Sequence, residues 1–93
     1  MELIFEWEPR KAKANLAKHG VSFGEATRVF FDPLARIFND PGHSVIENRE
    51  IIVGHSGPSK LLVVSFVERA PAVRLFSARR ATTRERHDYE EGR

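Results

Sequence analysis

Three apolar stretches, residues 49–55, 61–67 and 73–78, follow one another with only short polar gaps between them. Ser56, Gly57, Pro58 and Ser59 punctuate the first gap, and Ala70 and Pro71 sit in the second. Each stretch is rich in β-branched and aromatic residues and reads as a strand bounded by turn signals. A parallel return needs a crossover of a dozen or more residues, which neither gap can hold. Successive strands must therefore pair antiparallel, as a meander. A further strand is predicted over residues 34–38, followed by a loop over 39–44 composed of Asn, Asp, Pro, Gly, His and Ser.

Upstream of Leu34 the pattern is helical. Residues 3–7 form a short strand candidate. Pro9 then suits a first helical position, where its missing N–H costs nothing. Ala12, Ala14, Leu16 and Ala17 favour the helix, and Gly20 ends it as a left-handed cap. Ala12, Leu16 and His19 share one face, expected to turn inward, while Lys18 points to solvent. Ser22 and Glu25 have capping-box spacing, with Val21 as a staple against Ala26. The second helix carries Phe23, Ala26 and Phe30 inward and stops at Asp32-Pro33. Thr82 and Glu85 repeat the capping-box spacing and open a C-terminal helix. The predicted order is β-α-α-β-β-β-β-α. It describes one α+β domain over residues 1–93, with helices packed against a small antiparallel sheet.

At 93 residues the chain supports one core. Its 41% hydrophobic and 30% charged residues are those of a globular protein rather than a disordered one. It has no cysteine, which excludes disulfides, thiolate catalysis and Cys-ligated zinc. No apolar run approaches ~20 residues, the length of a membrane-spanning helix. The first residues are acidic where a signal peptide is basic, so a cytoplasmic location is expected.

The net charge is only +2, yet 11 of the 15 basic residues are arginine. Six of them lie between Arg69 and Arg86, with Glu85 the single acid among them. Arginine binds phosphate bidentately and stacks on bases, which suits a nucleic acid or an acidic partner. A solvated arginine surface is the plainer alternative.

Arg79 and Arg80 fall where a strand meets a helix N-terminus, a setting that suits an anion and above all a phosphate. Strict alternation puts Val73, Leu75, Ser77 and Arg79 on one face, and Arg74, Phe76, Ala78 and Arg80 on the other. The two arginines therefore diverge unless a bulge intervenes. RNA cleavage without a metal needs a base, an acid and cations around the phosphorane. Arg79, Arg80 and Arg69 are candidate phosphate clamps. Glu68 is a candidate base, and Lys18 and His19 are candidate acids or bases. Ser77, Arg74, Arg84 and Tyr89 are candidate substrate contacts. Charge stabilisation by Arg79 and Arg80 is expected to outweigh proton transfer by His19 or Glu68.

Each candidate has a structural alternative. His19 packs on the inner face of its helix, and Lys18 complements the helix dipole. Glu68 and Arg69 pair across a turn, and Arg84 with Asp88 forms a solvated i, i+4 pair. Trp7 reads as core. His43 and His55, in or near loops, lack the spacing of a metal site, so no metal or cofactor is expected.

Read together, these segments resemble the BrnT family of bacterial toxins over nearly the whole chain. The resemblance rests on Phe5-Glu6-Trp7-Glu8-Pro9, Lys18-His19-Gly20-Val21-Ser22-Phe23, Asp32-Pro33-Leu34, Glu68-Arg69 and Ser77-Ala78-Arg79-Arg80-Ala81-Thr82. Arg84-Glu85 and Tyr89-Glu90 extend it. The family more often has Asp where this chain has Glu8, a departure that alters only the first helix cap. The resemblance implies a RelE-like fold and a metal-independent endoribonuclease, the toxin of a type II toxin–antitoxin system that inhibits translation. It also implies a BrnA-like antitoxin with a ribbon-helix-helix domain, bound in a hetero-oligomer that meets operator DNA only through the antitoxin. Two rival readings remain beside it. One is a non-catalytic module that holds nucleic acid or a partner through its arginines. The other is a member of a toxin pair that has lost its activity.

Overall fold

A computed structural model describes residues 3–40 and 48–92. The elements are β1 (Ile4–Glu6), α1 (Pro9–His19), α2 (Phe23–Ala26) running on into a 3₁₀ helix (Thr27–Phe31), β2 (Arg36–Asn39), β3 (Arg49–Gly57), β4 (Lys60–Arg69), β5 (Ala72–Arg80) and α3 (Thr83–Glu90). This is the predicted α+β order. The loop expected over 39–44, with His43, lies largely outside the described residues.

The sheet runs β1-β5-β4-β3-β2. The meander of β2 to β5 is antiparallel throughout. β1 joins at the edge as a parallel neighbour of β5, pairing Ile4 with Ala72 and Glu6 with Arg74. No turn links β1 to β5, so nothing local dictated this direction.

The caps follow the sequence. Gly20 is left-handed (φ 70°) and donates to Leu16 O at 2.8 Å. Thr82 and Glu85 form a complete capping box, with N–H···O distances of 2.9 and 3.1 Å. The box expected at Ser22 is half made. Ser22 Oγ accepts from Glu25 N at 3.0 Å, but the Glu25 carboxylate instead accepts from Ser56 Oγ at 2.8 Å.

The expected inner face of α1 is corrected. Leu16 is half exposed, and the buried residue of the helix is Asn15. β1 covers only the start of β5, so the backbone of Ala78 has no neighbouring strand on that side. The Asn15 side chain takes the place of one, donating to Ala78 O at 2.7 Å and accepting from Ala78 N at 3.1 Å. A leucine there would leave both groups unpaired.

The core lies between the sheet and the helices. Phe23, Val29, Val64, Phe66 and Leu75 are at most 2% exposed. Edge-to-face rings link Phe5 to Phe30 (5.2 Å) and Phe30 to Phe66 (5.0 Å), and Trp7 packs on Phe23 at 5.7 Å, as a core residue. At Gly54 the segment after α2 presses directly onto β3. An added Cβ would sit 2.9 Å from Ala35 Cβ and 3.0 Å from Val29 Cγ1. Beside it Asp32 accepts from His55 N at 2.7 Å and from Leu34 N at 3.0 Å. Burial alone would raise the Asp32 carboxyl, but these N–H groups and the nearby imidazole outweigh it and hold the group below its ordinary pKa.

A bulge decides which residues of β5 face outward. Ser65 pairs with Ser77 and Phe66 with Leu75, which leaves Phe76 as the extra residue. Leu75 and Ala78 consequently both enter the core, where strict alternation had placed them on opposite faces.

Candidate functional site

Cross-strand register places Arg36, Phe38, Arg49, Ile51, Val53, Val63, Ser65, Ser77 and Arg79 on the sheet face opposite the core. α3 folds over one part of this face. The rest is a groove of two adjoining hollows, which share Ile51, Val63 and Arg79.

The first hollow, about 330 Å³, is the more polar of the two. Lys11, Arg49 and Arg79 bring three cations to it, and Ser65 and Ser77 add hydroxyls. Phe76, turned out by the bulge, holds two of the cations. Lys11 Nζ lies 5.2 Å from its ring centre, and the Arg49 guanidinium lies 3.9 Å from it. Asp40 also borders this hollow, and its N–H donates to Arg49 O at 3.0 Å.

The second hollow, about 450 Å³, has an apolar floor of Phe38, Ile51, Val53 and Val63. Tyr89 forms a wall, its ring 5.7 Å from His55 and its hydroxyl donating to Leu34 O at 2.9 Å. Burial raises the phenol's pKa above its ordinary value. Arg36, Arg79, Glu85 and Asp88 complete the rim.

Arg79 stands between the two hollows. Its Nη1 and Nη2 donate to the two Glu85 oxygens at 2.8 and 2.9 Å, a parallel fork. That bond holds the Glu85 carboxyl down at about 2 and raises the Arg79 guanidinium above its ordinary value. The capping-box carboxylate thus ties the strand end to the helix start.

Of the residues singled out in the sequence, Ser77, Arg79 and Tyr89 meet at the groove. Arg74 shares the outer face but is bound to Glu6 at 2.9 Å. Arg80 points away from Arg79, as adjacent strand residues do, and donates to Ser59 O at 3.2 Å. Glu68 and Arg69 are exposed at the opposite end of β4. Glu68 is five residues along the strand from Val63, the partner of Arg79, or roughly 17 Å. Lys18, exposed, and His19, half-buried, end α1 one turn beyond Asn15, and neither lines either hollow. Glu68, Lys18 and His19 are thus not among the residues that line the two hollows. Arg84 is exposed on α3 and forms no ion pair with Asp88, which turns to the groove instead.

Lys11, Arg36 and Arg49 were not singled out. Arg49 was legible, because alternation from Ile51 and Val53 puts it on their face. Lys11 and Arg36 had no such signal, since each reaches the groove through tertiary packing.

No helix among the described residues is long and apolar enough to cross a membrane. None of the curated proteins matches the chain. Among solved structures it is similar to the Brucella abortus ribonuclease toxin BrnT, with a TM-score of 0.70 and 21% identity over 88% of this chain and 100% of that one. At that identity the likeness shows the fold alone. The family described as ribonuclease toxin, BrnT, of type II toxin–antitoxin system matches residues 7–85. With most of its length matched, the chain belongs to the BrnT family of ribonuclease toxins.

Proposed function

We propose that the outer-face groove is the ribonuclease site and that RNA lies across both hollows, its scissile phosphate in the polar one. The observation that carries this reading is the convergence of Lys11, Arg49 and Arg79, with the Ser65 and Ser77 hydroxyls, on one hollow. When a 2′-hydroxyl attacks the adjacent phosphorus, negative charge builds on the phosphorane oxygens. Fixed guanidinium and ammonium groups stabilise that charge more than they stabilise the substrate. They supply the role a metal would otherwise fill, so cleavage is metal-independent. Because the candidate proton-transfer groups His19, Lys18 and Glu68 line neither hollow, charge stabilisation and positioning carry most of the rate. Arg80, Arg69, Arg74 and Arg84 contribute attraction for the RNA backbone at longer range.

In this reading the protein inhibits translation by cutting RNA in the cytoplasm. A BrnA-like ribbon-helix-helix antitoxin binds it in a hetero-oligomer and covers the groove. Operator DNA is reached only through the antitoxin.

The test is single-turnover cleavage of RNA in the presence of a chelator, with folding of each variant checked by circular dichroism. Arg49→Ala is expected to lose about a hundredfold in rate, as removal of a preorganised charge donor does. Lys11→Ala should lose less, and His19→Ala and Glu68→Ala should stay within a few-fold of the parent. Full activity in Arg49→Ala together with a dead His19→Ala would replace this mechanism with one built on proton transfer.

A further inference from the structure

Resting on the reading just given, we propose that the apolar hollow is a base pocket that selects guanine in the RNA substrate. Its floor of Phe38, Ile51, Val53 and Val63 and its Tyr89 wall offer the flat, dry surface on which an unstacked base settles. It opens directly from the phosphate hollow through Ile51, Val63 and Arg79, so a nucleotide seated in one places its phosphate toward the other.

Two groups at the rim keep hydrogen-bonding capacity to spare. Arg36 donates through Nη2 to Gly92 O at 2.7 Å, while its Nη1 is shut off from water and has no hydrogen-bond partner among the described residues. A buried donor without an acceptor is unfavourable, and a base acceptor entering the hollow supplies the missing bond. Asp88 is exposed at the rim, and its side chain has no hydrogen bond or ion pair among the described residues. Glu85 and Tyr89 are already committed, to Arg79 and to Leu34 O.

A guanidinium and a carboxylate on one rim match guanine best. Its O6 and N7 accept from an arginine, and its adjacent N1–H and N2–H donors span one carboxylate. Adenine, cytosine and uracil each lack the pair of adjacent ring and amino donors, so each leaves one carboxylate oxygen unmatched. Arg36 accordingly reads O6 through Nη1, and Asp88 reads N1–H and N2–H.

The experiment has two arms on the full chain. In the first, 5′-GMP, AMP, CMP and UMP are titrated against the protein and against Asp88→Asn and Arg36→Lys, followed by amide chemical shifts. GMP is expected to bind at least tenfold more tightly than the others, with perturbed amides at Phe38, Ile51 and Tyr89. Asp88→Asn should reduce the preference about tenfold, the scale of one lost bidentate contact. In the second arm, cleavage sites on an unstructured RNA are mapped, and cuts next to G should dominate and lose their dominance in Asp88→Asn. Equal affinity for the four nucleotides overturns the proposal, as does a G preference that Asp88→Asn leaves intact. So does an effect of Asp88→Asn on antitoxin affinity alone, which would make the hollow a seat for an antitoxin side chain. Cleavage without base preference removes the guanine pocket and leaves the ribonuclease reading standing. Selective, Asp88-dependent GMP binding with no RNA cleavage supports the pocket and removes the assignment of catalysis to the groove.

Discussion

The Asn15 side chain bonds to both the N–H and the carbonyl of Ala78, at 3.1 and 2.7 Å, and so replaces the strand that β5 lacks along this edge. It donates again to Val21 O at 2.9 Å, which fixes the exit of α1 in the same contact. At 7% exposure the side chain is buried. Asn15→Leu strands three backbone groups and is expected to cost about 3 kcal/mol or more. For a domain of this size that corresponds to a fall in Tm of at least roughly 12 °C. Thermal unfolding followed by circular dichroism measures it, and a Tm within a few degrees of the parent would show that the strand-like contact is dispensable.

Gly54 tests how tightly the chain after α2 lies on β3. Its missing Cβ would meet Ala35 Cβ at 2.9 Å, Val29 Cγ1 at 3.0 Å and Asp32 Oδ2 at 3.1 Å, and the first two belong to packed apolar residues. Gly54→Ala is expected to destabilise by about 1–3 kcal/mol through overpacking. Gly57→Ala, on the same strand with nothing within 4 Å of the new atom, is the control and should be far milder. Urea midpoints of the two variants decide it. Equal midpoints would mean that the sheet yields at Gly54 without strain.

The Arg79–Glu85 fork should appear in the acid limb of stability. The Glu85 carboxyl sits at about 2 in the fold against an ordinary value of 4.5. Between those values the unfolded chain binds the proton and the folded chain does not, so stability rises with pH across that window. The contribution is complete above about pH 4.5 and is lost as pH falls toward 2. Both side chains are over a third exposed, so solvent screening reduces its size. Glu85→Gln keeps an acceptor for the Thr82 N–H and removes the charge. Urea midpoints from pH 2.5 to 6 should converge for the two proteins at low pH and separate as pH rises. Asp32, held below its ordinary value, steepens the same limb in both, so the difference between them isolates Glu85. A constant gap at every pH would remove the ion pair as its cause.

Phe76 links the β5 bulge to the charge of the groove. Its ring lies against both Lys11 and Arg49, and each contact holds a flexible cation over the polar hollow. Phe76→Leu keeps the bulk and removes the ring face. RNA affinity by fluorescence anisotropy at low salt is expected to fall about 3- to 10-fold, on the scale of one or two exposed cation–π contacts. Unchanged affinity would show that the two cations find the RNA without this support.

The amino-acid sequence by itself determined the order of the elements and the capped ends of α1 and α3. Pro9 and Gly20 bound α1, Thr82 with Glu85 opens α3, and the tight connections at Pro58-Ser59, two residues shorter than the expected turn, and Ala70-Pro71 make the meander antiparallel. Each of these is settled by groups within about four residues of one another, through a cap, a turn or a missing N–H. Arg79 was legible as a site candidate because it stands beside such a local signal, the capping box that opens α3. Tertiary structure decided the rest. The bulge at Phe76 arises from the register between β4 and β5, and it sends Ala78 inward and Phe76 toward Lys11 and Arg49. Asn15 reads as an ordinary polar helix residue until β1 stops short of Ala78. The Lys18-His19 pair and Glu68 suit the chemistry at Arg79, yet none of them lines the groove. Which side chains converge is set by the pairing of segments distant in the chain, and no pattern of neighbouring residues encodes that distance.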